Sequence, residues 1–190
     1  NGPDEIAKIY AAVTDASGKI LGYHTDIQEA IKAVAAVTSV AKTATAGTVE
    51  ILRDVTVDKW VMFAEKMNIG DGSLITLNIN GVTIDGNNNT LTVKSIESAS
   101  NGGYLFYGAQ NLTVKDLTIN IADGLVGGIG LQSGTISNVT FNGGQYAVLP
   151  GSNGVTIDGC EFNDTKGYAV YYENERPGIV VTGNTFNTAD

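Results

Sequence analysis

The chain has one cysteine, few aromatic residues and a shortage of basic side chains. With Cys160 as the only cysteine, an intrachain disulfide is excluded. Lys and Arg total 11 against 20 Asp and Glu, so the formal net charge is −9 at pH 7. Nucleic acid and anionic membranes carry the same sign of charge, and we expect neither as a partner. No run approaches the roughly 18 apolar residues of a membrane-spanning helix, so we expect no membrane insertion.

The chain does contain a repeated pattern, within a length of 190 residues that suits one domain. Six short segments align on their last apolar residue, which we call the anchor. The six anchors are Val57, Ile84, Ile119, Phe141, Phe162 and Phe186. Another apolar residue lies five positions earlier, in the order Leu52, Ile79, Val114, Ile136, Ile157 and Val181. A repeat in fixed columns predicts a solenoid.

A bend column lies three residues before each anchor. Its members are Asp54, Gly81, Asp116, Asn138, Gly159 and Gly183. Gly, Asn and Asp are the residues that tolerate positive φ, so each segment is predicted to bend there between two strands. Between the later segments lie further β-rich stretches, GGIGL (127–131), YAVLP (146–150) and YAVYY (168–172), which predict a second wall.

The spacing of the anchors, which settles near 22 residues in the later segments, suits one coil of parallel strands per repeat. Over residues 48–190 the pattern resembles the right-handed parallel β-helix repeat of the pectate-lyase-like proteins. The resemblance implies an all-β solenoid of about six coils. In that family the residue after the anchor forms an inward ladder of Asn side chains. Matching positions here are Asn120, Asn142, Asn163 and Asn187, whereas Asp58 and Asp85 depart from the pattern.

The N-terminal segment, residues 1–47, lies outside the columns. A helix is predicted at about residues 25–36, because Thr25 and Gln28 have capping-box spacing and the apolar residues that follow form a stripe. We expect this helix to cap the first coil. A helix followed by such a coil is similar to the start of many secreted bacterial surface proteins, which implies an extracellular or cell-surface location. Because the last repeat has no closing segment, we expect the rest of a longer chain on its C-terminal side.

The resemblance also raises the possibility of polysaccharide lyase or hydrolase activity. A pectate-type lyase needs clustered carboxylates for Ca²⁺ and a basic residue, but Lys115 lies beside Asp116 and is expected to stay protonated. The densest charged group in the later coils supplies the weak catalytic candidates Glu173, Glu175 and Arg176. A hydrolase of the polygalacturonase type needs a His in the coils, where there is none.

Other polar residues have simpler interpretations. His24 is expected in an exposed loop, Cys160 in the core, and the carboxylates of Asp158 and Glu161 on the surface. The oxygen-rich run at residues 85–89 is compatible with Ca²⁺, but a Gly/Asn turn explains it equally well. We therefore expect no cofactor and no metal site, with Ca²⁺ as the one open possibility.

A glycan-binding face is predicted from strand alternation. Tyr107, Tyr171 and Glu173 are expected to point outward, and Tyr146, Tyr168, Val148, Val170 and Tyr172 inward. Outward tyrosines beside polar side chains suit stacking on sugar rings. The long interval around residues 88–108 is expected to hold an extra strand pair or a protruding loop.

These observations favour a non-catalytic extracellular β-helix module of a bacterial surface or secreted protein, for adhesion, glycan contact or spacing. A polysaccharide or a host cell-surface glycan is the expected partner. The alternative is a pectate-lyase-like carbohydrate-active enzyme, and a third interpretation is a purely structural stalk.

Overall fold

The computed structural model describes residues 2–41, 47–57, 61–62, 64–68, 74–78, 80–94, 104–122, 127–151, 154–172, 174–175 and 177–187. Its N-terminal part contains helix α1 (Pro3–Ile6), strands β1 (Ala11–Thr14) and β2 (Ile20–His24), and helix α2 (Ile27–Ala41). The next strands are β3 (Thr48–Ile51), β4 (Val55–Val57), β5 (Val61–Met62), β6 (Ala64–Asn68), β7 (Leu74–Asn78), β8 (Thr83–Val93) and β9 (Tyr104–Ala109).

In the second half of the chain, all the elements among the described residues are strands. Its elements are β10 (Leu112–Ile121), β11 (Gly127–Leu131), β12 (Gly134–Gly143), β13 (Tyr146–Pro150), β14 (Val155–Asp158), β15 (Glu161–Asn163), β16 (Tyr168–Val170), β17 (Ile179–Thr182) and β18 (Thr185–Asn187). The predicted second-wall stretches at 127–131 and 146–150 coincide with β11 and β13, and the third begins with β16.

Two parallel sheets run through the molecule. In the first sheet the order β17-β14-β12-β10-β8-β3 is parallel throughout, and β4, β15 and β18 lie alongside this path. In the second sheet the order is β16-β13-β11-β9-β5, again parallel. The chain alternates between the sheets, passing from β10 to β11, from β12 to β13 and from β15 to β16. We call each pass through both sheets a rung.

The register of the later rungs agrees with the sequence alignment. Ile119, Phe141, Phe162 and Phe186 pair in one column, and Val114, Ile136, Ile157 and Val181 pair in another. The bend column between them has positive φ at Asp116, Asn138, Gly159 and Gly183, with values of 52°, 50°, 60° and 65°. The predicted bend is therefore confirmed for these four rungs.

The register predicted for the first two rungs is wrong. Ile84 pairs with Val114 instead of Ile119, and the residue that pairs with Ile119 is Leu91. In the first rung Val55 is the anchor, because it pairs with Leu91, whereas Val57 pairs with Val93. The apolar position before the bend is held by Val49 and Ile84. Leu52, predicted for that column, is exposed, and Ile79 lies outside the described residues.

Longer bends explain this error. The Val114-to-Ile119 spacing of five residues grows to seven between Ile84 and Leu91, and to six between Val49 and Val55. The additional residues of the second rung include Asn87 and Asn88, both with positive φ, where the pairing with β10 shifts register. An alignment with constant spacing cannot accommodate such insertions.

The core is formed by the inward columns of both sheets. Ile84, Val114, Ile136 and Ile157 are fully buried, as is Phe141. Close packing between the sheets is visible at Gly128, where an added Cβ would lie 2.8 Å from the Phe141 ring. Such stacked mid-sized side chains remove apolar surface from water at every rung.

The N-terminal part covers the first rung more extensively than predicted. Strand β1 pairs antiparallel with both β2 and β3, so a hairpin that the sequence analysis missed protects the edge of β3. Helix α2 packs against β1, β2 and β3. Its N-cap is Asp26, whose carboxylate accepts from Glu29 N at 3.0 Å. The predicted capping box of Thr25 and Gln28 is therefore wrong by one residue.

An antiparallel strand pair lies earlier in the chain than the extra strand pair or protruding loop that was predicted at residues 88–108. Strands β6 and β7 pair antiparallel between the first and second rungs, at residues 64–78. The prediction for residues 88–108 depended on Ile84 as an anchor, which made the interval before Ile119 too long for one coil. Within residues 88–108, residues 88–93 continue β8 and residues 104–108 belong to β9, whereas 95–103 lie outside the described residues.

The bend column predicts the effect of a substitution at Gly159. Gly159 has a φ of 60°, and an added Cβ would meet no atom within 4 Å. Backbone strain alone should therefore cause Gly159→Val to lower the free energy of unfolding by about 1–2 kcal/mol. Gly159→Asn is the matched control, since Asn138 occupies the same column with positive φ, and its loss should be smaller. Urea unfolding measures both, and equal midpoints for Gly159→Val and the parent protein would contradict the assignment.

Candidate functional site

A ladder of Asn side chains runs beside the anchor column. Asn142 Nδ2 donates to Asn120 Oδ1 at 2.7 Å, Asn163 Nδ2 to Asn142 Oδ1 at 2.9 Å, and Asn187 Nδ2 to Asn163 Oδ1 at 2.7 Å. The amides of Asn142 and Asn163 therefore each donate to the preceding rung and accept from the following one. In the first two rungs this column holds Thr56 and Thr92. Asp85 belongs to a different column, and Asp58 lies outside the described residues.

A second set of Asn side chains, which the sequence analysis missed, fastens the bends. Asn184 accepts from Cys160 N at 2.7 Å and donates to Ile157 O at 2.9 Å. Asn89 donates in the same way to Ile51 O at 2.8 Å. The sequence did contain one indication of this role. Asn184 is a polar residue in the column that holds Leu117, Val139 and Cys160 in the three preceding rungs. These bonds satisfy backbone groups that the bend leaves without a strand partner.

Aromatic rings stack from rung to rung in the anchor column. Phe141 and Phe162 lie 5.1 Å apart between centroids and are parallel within 1°, and Phe162 and Phe186 lie 5.1 Å apart within 6°. Phe162 is buried, but Phe186 in the final rung is exposed. Within the described residues, the stacked column thus runs through Phe141, Phe162 and Phe186.

Three tyrosines form a cluster on the second sheet. Tyr146 stacks on Tyr171 with centroids 4.3 Å apart, and Tyr168 lies 6.2 Å from Tyr146 and 5.6 Å from Tyr171. We call Tyr146, Tyr168 and Tyr171 the tyrosine cluster. The Gln145 carboxamide lies next to the preceding residue of the later strand, since a Cβ at Gly167 would be 2.5 Å from Gln145 Nε2.

The predicted orientation of these tyrosines is partly wrong. Tyr168 and Tyr172, expected inside, are 61% and 50% exposed, and Tyr171, expected to be separate from them, stacks within the cluster. Val148 is buried as expected and Val170 is half-buried. For Tyr171 and Tyr172 the alternation fails because β16 ends at Val170, so a strand period does not apply to them.

Tyr107 lies apart from the tyrosine cluster. It pairs with Gly130, and Gly130 pairs with Leu149. Tyr171 N donates to Val148 O at 3.0 Å. This bond places Tyr171 next to Leu149, in the same column as Tyr107 and Gly130. Three strand spacings of about 4.8 Å therefore separate Tyr107 from Tyr171 along the stack. The structure brings together Tyr171 and two tyrosines that were assigned to the interior, but not the predicted pair.

The predicted catalytic candidates are only partly described. Glu173 and Arg176 lie outside the described residues. Glu175 is exposed and borders a surface groove with Tyr172, Pro177 and Val181. Asp158 and Glu161 are also exposed. Within the part of the chain that the structure describes, no three His, Cys, Asp or Glu side chains converge as a metal site would require.

Lys115 forms an ion pair that determines its protonation. Its Nζ lies 3.1 Å from Asp85 Oδ2, and Asp85, with a smaller contribution from Asp116, raises the pKa of Lys115. A lysine in this environment stays protonated and cannot serve as a general base. The other carboxylate oxygen of Asp85 accepts from Asn87 N at 2.9 Å, so this oxygen-rich run forms a hydrogen-bonded turn.

His24 and Cys160 have different surroundings. His24 ends β2 and is half-buried beside Asp26 and Glu29 in a surface groove, so it is not the exposed loop residue that was expected. Cys160 is 2% exposed, and its Sγ donates to Ile136 O at 3.6 Å and to Asp158 O at 3.5 Å. Burial raises the pKa of the Cys160 thiol, which keeps it in the unreactive protonated form.

A comparison of the sequence with models of protein families agrees with the parallel sheets described above. The model of the right-handed β-helix region matches residues 61–189, which is more than half of the chain. The chain belongs to the right-handed β-helix family. Strands β3 and β4 precede the matched region but join the same parallel sheet of this β-helix protein. Searches of curated proteins and of solved structures gave no significant match.

Membership of the β-helix family does not by itself assign an activity, because one fold carries many functions. Among the helices of the described residues, none combines the length and apolar character needed to cross a membrane. Within the described residues, the features that bear on function are the tyrosine cluster and the Asn ladder.

The Asn ladder predicts a position-dependent loss of stability. Asn142→Leu would leave both Asn120 Oδ1 and Asn163 Nδ2 without their partners in a half-buried column. We expect the free energy of unfolding to fall by about 1–3 kcal/mol. Asn187→Leu is the control, because it removes a bond at the exposed end and should cost less. Denaturant unfolding measures the loss of stability in both variants. An equal loss would contradict the prediction that an Asn bonded on both sides contributes more than one bonded on one side.

Burial of Cys160 predicts a pH dependence of stability. Because the folded state raises the pKa of the thiol, the unfolded chain loses this proton first as pH increases. The stabilising contribution is complete below the ordinary thiol pKa of roughly 8.5 and declines above it. The parent protein should therefore lose more stability than Cys160→Ala between neutral pH and pH 10, measured by urea unfolding under reducing conditions. Parallel pH profiles would contradict this linkage.

Proposed function

We propose that the chain is a non-catalytic, extracellular β-helix module of a bacterial surface or secreted protein, and that it contacts glycans through the tyrosine cluster. In this proposal the parallel strands form a right-handed solenoid of about six coils. The β1–β2 hairpin and helix α2 cap its first coil. The similarity of a helix followed by such a coil to secreted bacterial surface proteins supports the location.

The tyrosine cluster is the observation that carries the proposal. Aromatic rings bind the apolar faces of sugar rings. The stack of Tyr146 on Tyr171 holds two of the rings before any ligand arrives, so less conformational entropy is lost on binding. Tyr168 is exposed beside them and offers additional ring surface.

Charge indicates the class of glycan. The net charge of −9 opposes approach of an acidic polysaccharide unless a metal ion bridges the two. Neutral polysaccharides do not pay this electrostatic cost. We therefore expect neutral glycans to bind more tightly than polyuronates at low ionic strength.

The chemistry of the described residues supports a binding role over catalysis. Lys115 is held protonated by Asp85, Cys160 is buried, and Asp158 and Glu161 are exposed carboxylates. The alternative of a pectate-lyase-like carbohydrate-active enzyme differs from this proposal in one observable, which is turnover of polysaccharide.

Binding to a panel of neutral and acidic polysaccharides tests the proposal. We expect saturable binding of at least one neutral glycan, and Tyr168→Ala or Tyr171→Ala should weaken it about 3- to 10-fold. Tyr23→Ala is the matched control, since Tyr23 is an exposed tyrosine on the N-terminal hairpin. Affinity electrophoresis and calorimetry provide the measurements. Binding that is unaffected by both cluster variants would contradict the assigned site.

The same panel, incubated with and without Ca²⁺, tests for catalysis. New reducing ends and unsaturated-uronate absorbance should both stay at background. Cleavage of any polysaccharide would overturn the non-catalytic proposal, and Glu175 would then be mutated first among the described candidates.

A further inference from the structure

The tyrosine cluster is a set of phenol rings in direct contact. Tyr146 and Tyr171 lie 4.3 Å apart between ring centroids, with their planes within 15° of parallel. Tyr168 lies 5.6 Å from Tyr171 and 6.2 Å from Tyr146. Favourable aromatic pairs have centroids about 4.5–7 Å apart, so the pair of Tyr146 and Tyr171 is close even for stacked rings. Phenols held at this separation are placed for a reaction that consumes two phenols at once.

Backbone pairing holds the rings of the cluster together. Tyr146 pairs with Tyr168 in the parallel ladder between β13 and β16. Tyr168 N donates to Gln145 O at 3.1 Å, and Tyr171 N donates to Val148 O at 3.0 Å. The chain on both sides of Tyr146 is therefore bonded to the segment that carries the other two rings. The contact between the phenols is a consequence of strand pairing and needs no ligand.

Neighbouring phenols are substrates for oxidative coupling. A one-electron oxidant removes one electron and one proton from each phenol, and the two tyrosyl radicals join through a C–C bond between ring carbons ortho to the oxygens. The hydrogens on these carbons then move to the phenol oxygens as protons. The product, dityrosine, has two hydrogen atoms fewer than the two side chains. Holding both rings in contact replaces a bimolecular encounter by an intramolecular step, which accelerates the coupling.

We propose that Tyr146 and Tyr171 are a site of dityrosine formation, with hydrogen peroxide and a haem peroxidase as the class of oxidant. The peroxide accepts the two electrons and two protons that the two tyrosines lose, and it is reduced to two molecules of water. The new C–C bond joins β13 to the segment that follows β16. Tyr146 and Tyr171 are the reacting pair because their rings are the closest in the cluster.

A dityrosine would supply a covalent link between neighbouring rungs that cysteine cannot supply in this chain. Cys160 is the only cysteine, so an intrachain disulfide is excluded. The dityrosine closes the chain between residues 146 and 171, and a closed loop lowers the conformational entropy of the unfolded chain as a disulfide does. We therefore expect the crosslinked protein to unfold at a higher urea concentration. The inference rests on the contact between the rings and is independent of glycan binding.

Peptide mapping after oxidation is the direct test. The parent protein is treated with hydrogen peroxide and a haem peroxidase and then digested with trypsin. Cleavage after Lys166 separates Tyr146 from Tyr168 and Tyr171. We expect dityrosine fluorescence and a crosslinked pair of peptides whose mass is two hydrogen atoms below their sum, with fragmentation that places the link at Tyr146 and Tyr171. The yield per chain should stay constant on about tenfold dilution of the protein, because the coupling is intramolecular.

Phenylalanine variants identify the reacting pair. Tyr146→Phe and Tyr171→Phe keep a ring in the stack but remove the phenol, so each should lower the yield of linked peptides at least tenfold. Tyr172→Phe is the matched control and should leave the yield unchanged. Tyr172 is an exposed tyrosine next to Tyr171, and among the described residues no ring stacks on it. Circular dichroism melting before oxidation establishes that all three variants fold. Oxidation should raise the urea midpoint of the parent protein and of Tyr172→Phe, but not that of Tyr171→Phe.

Three results would overturn the proposal. The first is the absence of linked peptides in a mixture that does convert free tyrosine to dityrosine. The second is a link that persists in Tyr171→Phe, which would assign the coupling to Tyr168. The third is dityrosine found mainly in covalent dimers, which would show coupling between chains instead of within the stack. The measured quantity is a peptide mass and not an affinity for sugar, so failure of the glycan-binding proposal leaves this test intact.

Discussion

The structure depends on parallel, in-register stacking of like residues from one rung to the next. Every polar side chain of the Asn ladder has an identical neighbour as its partner, and each Phe of the later anchor column packs on another Phe. This arrangement leaves no choice of register, because a slip by one residue would move the apolar columns to the surface and separate the amides. Contacts between neighbouring rungs consequently contribute much of the stability.

The bends allow the strands to stay in register, because each bend is stabilised by residues close to it in the sequence or in the adjacent rung. A residue with positive φ redirects the strand at Asp116, Asn138, Gly159 and Gly183, and nearby Asn side chains bond to backbone groups that pairing leaves open. The second rung accommodates two more residues at this point without disturbing the stack on either side. The inward columns therefore remain constant while the bends vary in length.

The proposed glycan-binding surface is built from neighbouring strands of the second sheet. Tyr146 lies in β13, Tyr168 lies in β16 and Tyr171 directly follows β16, so strand pairing brings the three rings together. The pairing that orders the interior therefore also orders this aromatic surface.

The sequence by itself determined the β-helix class, the four later rungs, their bend residues and the positions of the Asn ladder. These features could be predicted because equivalent residues of successive rungs, such as Phe141 and Phe162, pack on one another. The same residue types therefore recur at a regular interval in the sequence. Only the tertiary structure decided the anchors Val55 and Leu91, the N-terminal hairpin and the association of Tyr171 with Tyr146. Those features depend on the length of individual bends, on pairing between distant strands and on where a strand ends, and none of these has a fixed period in the sequence.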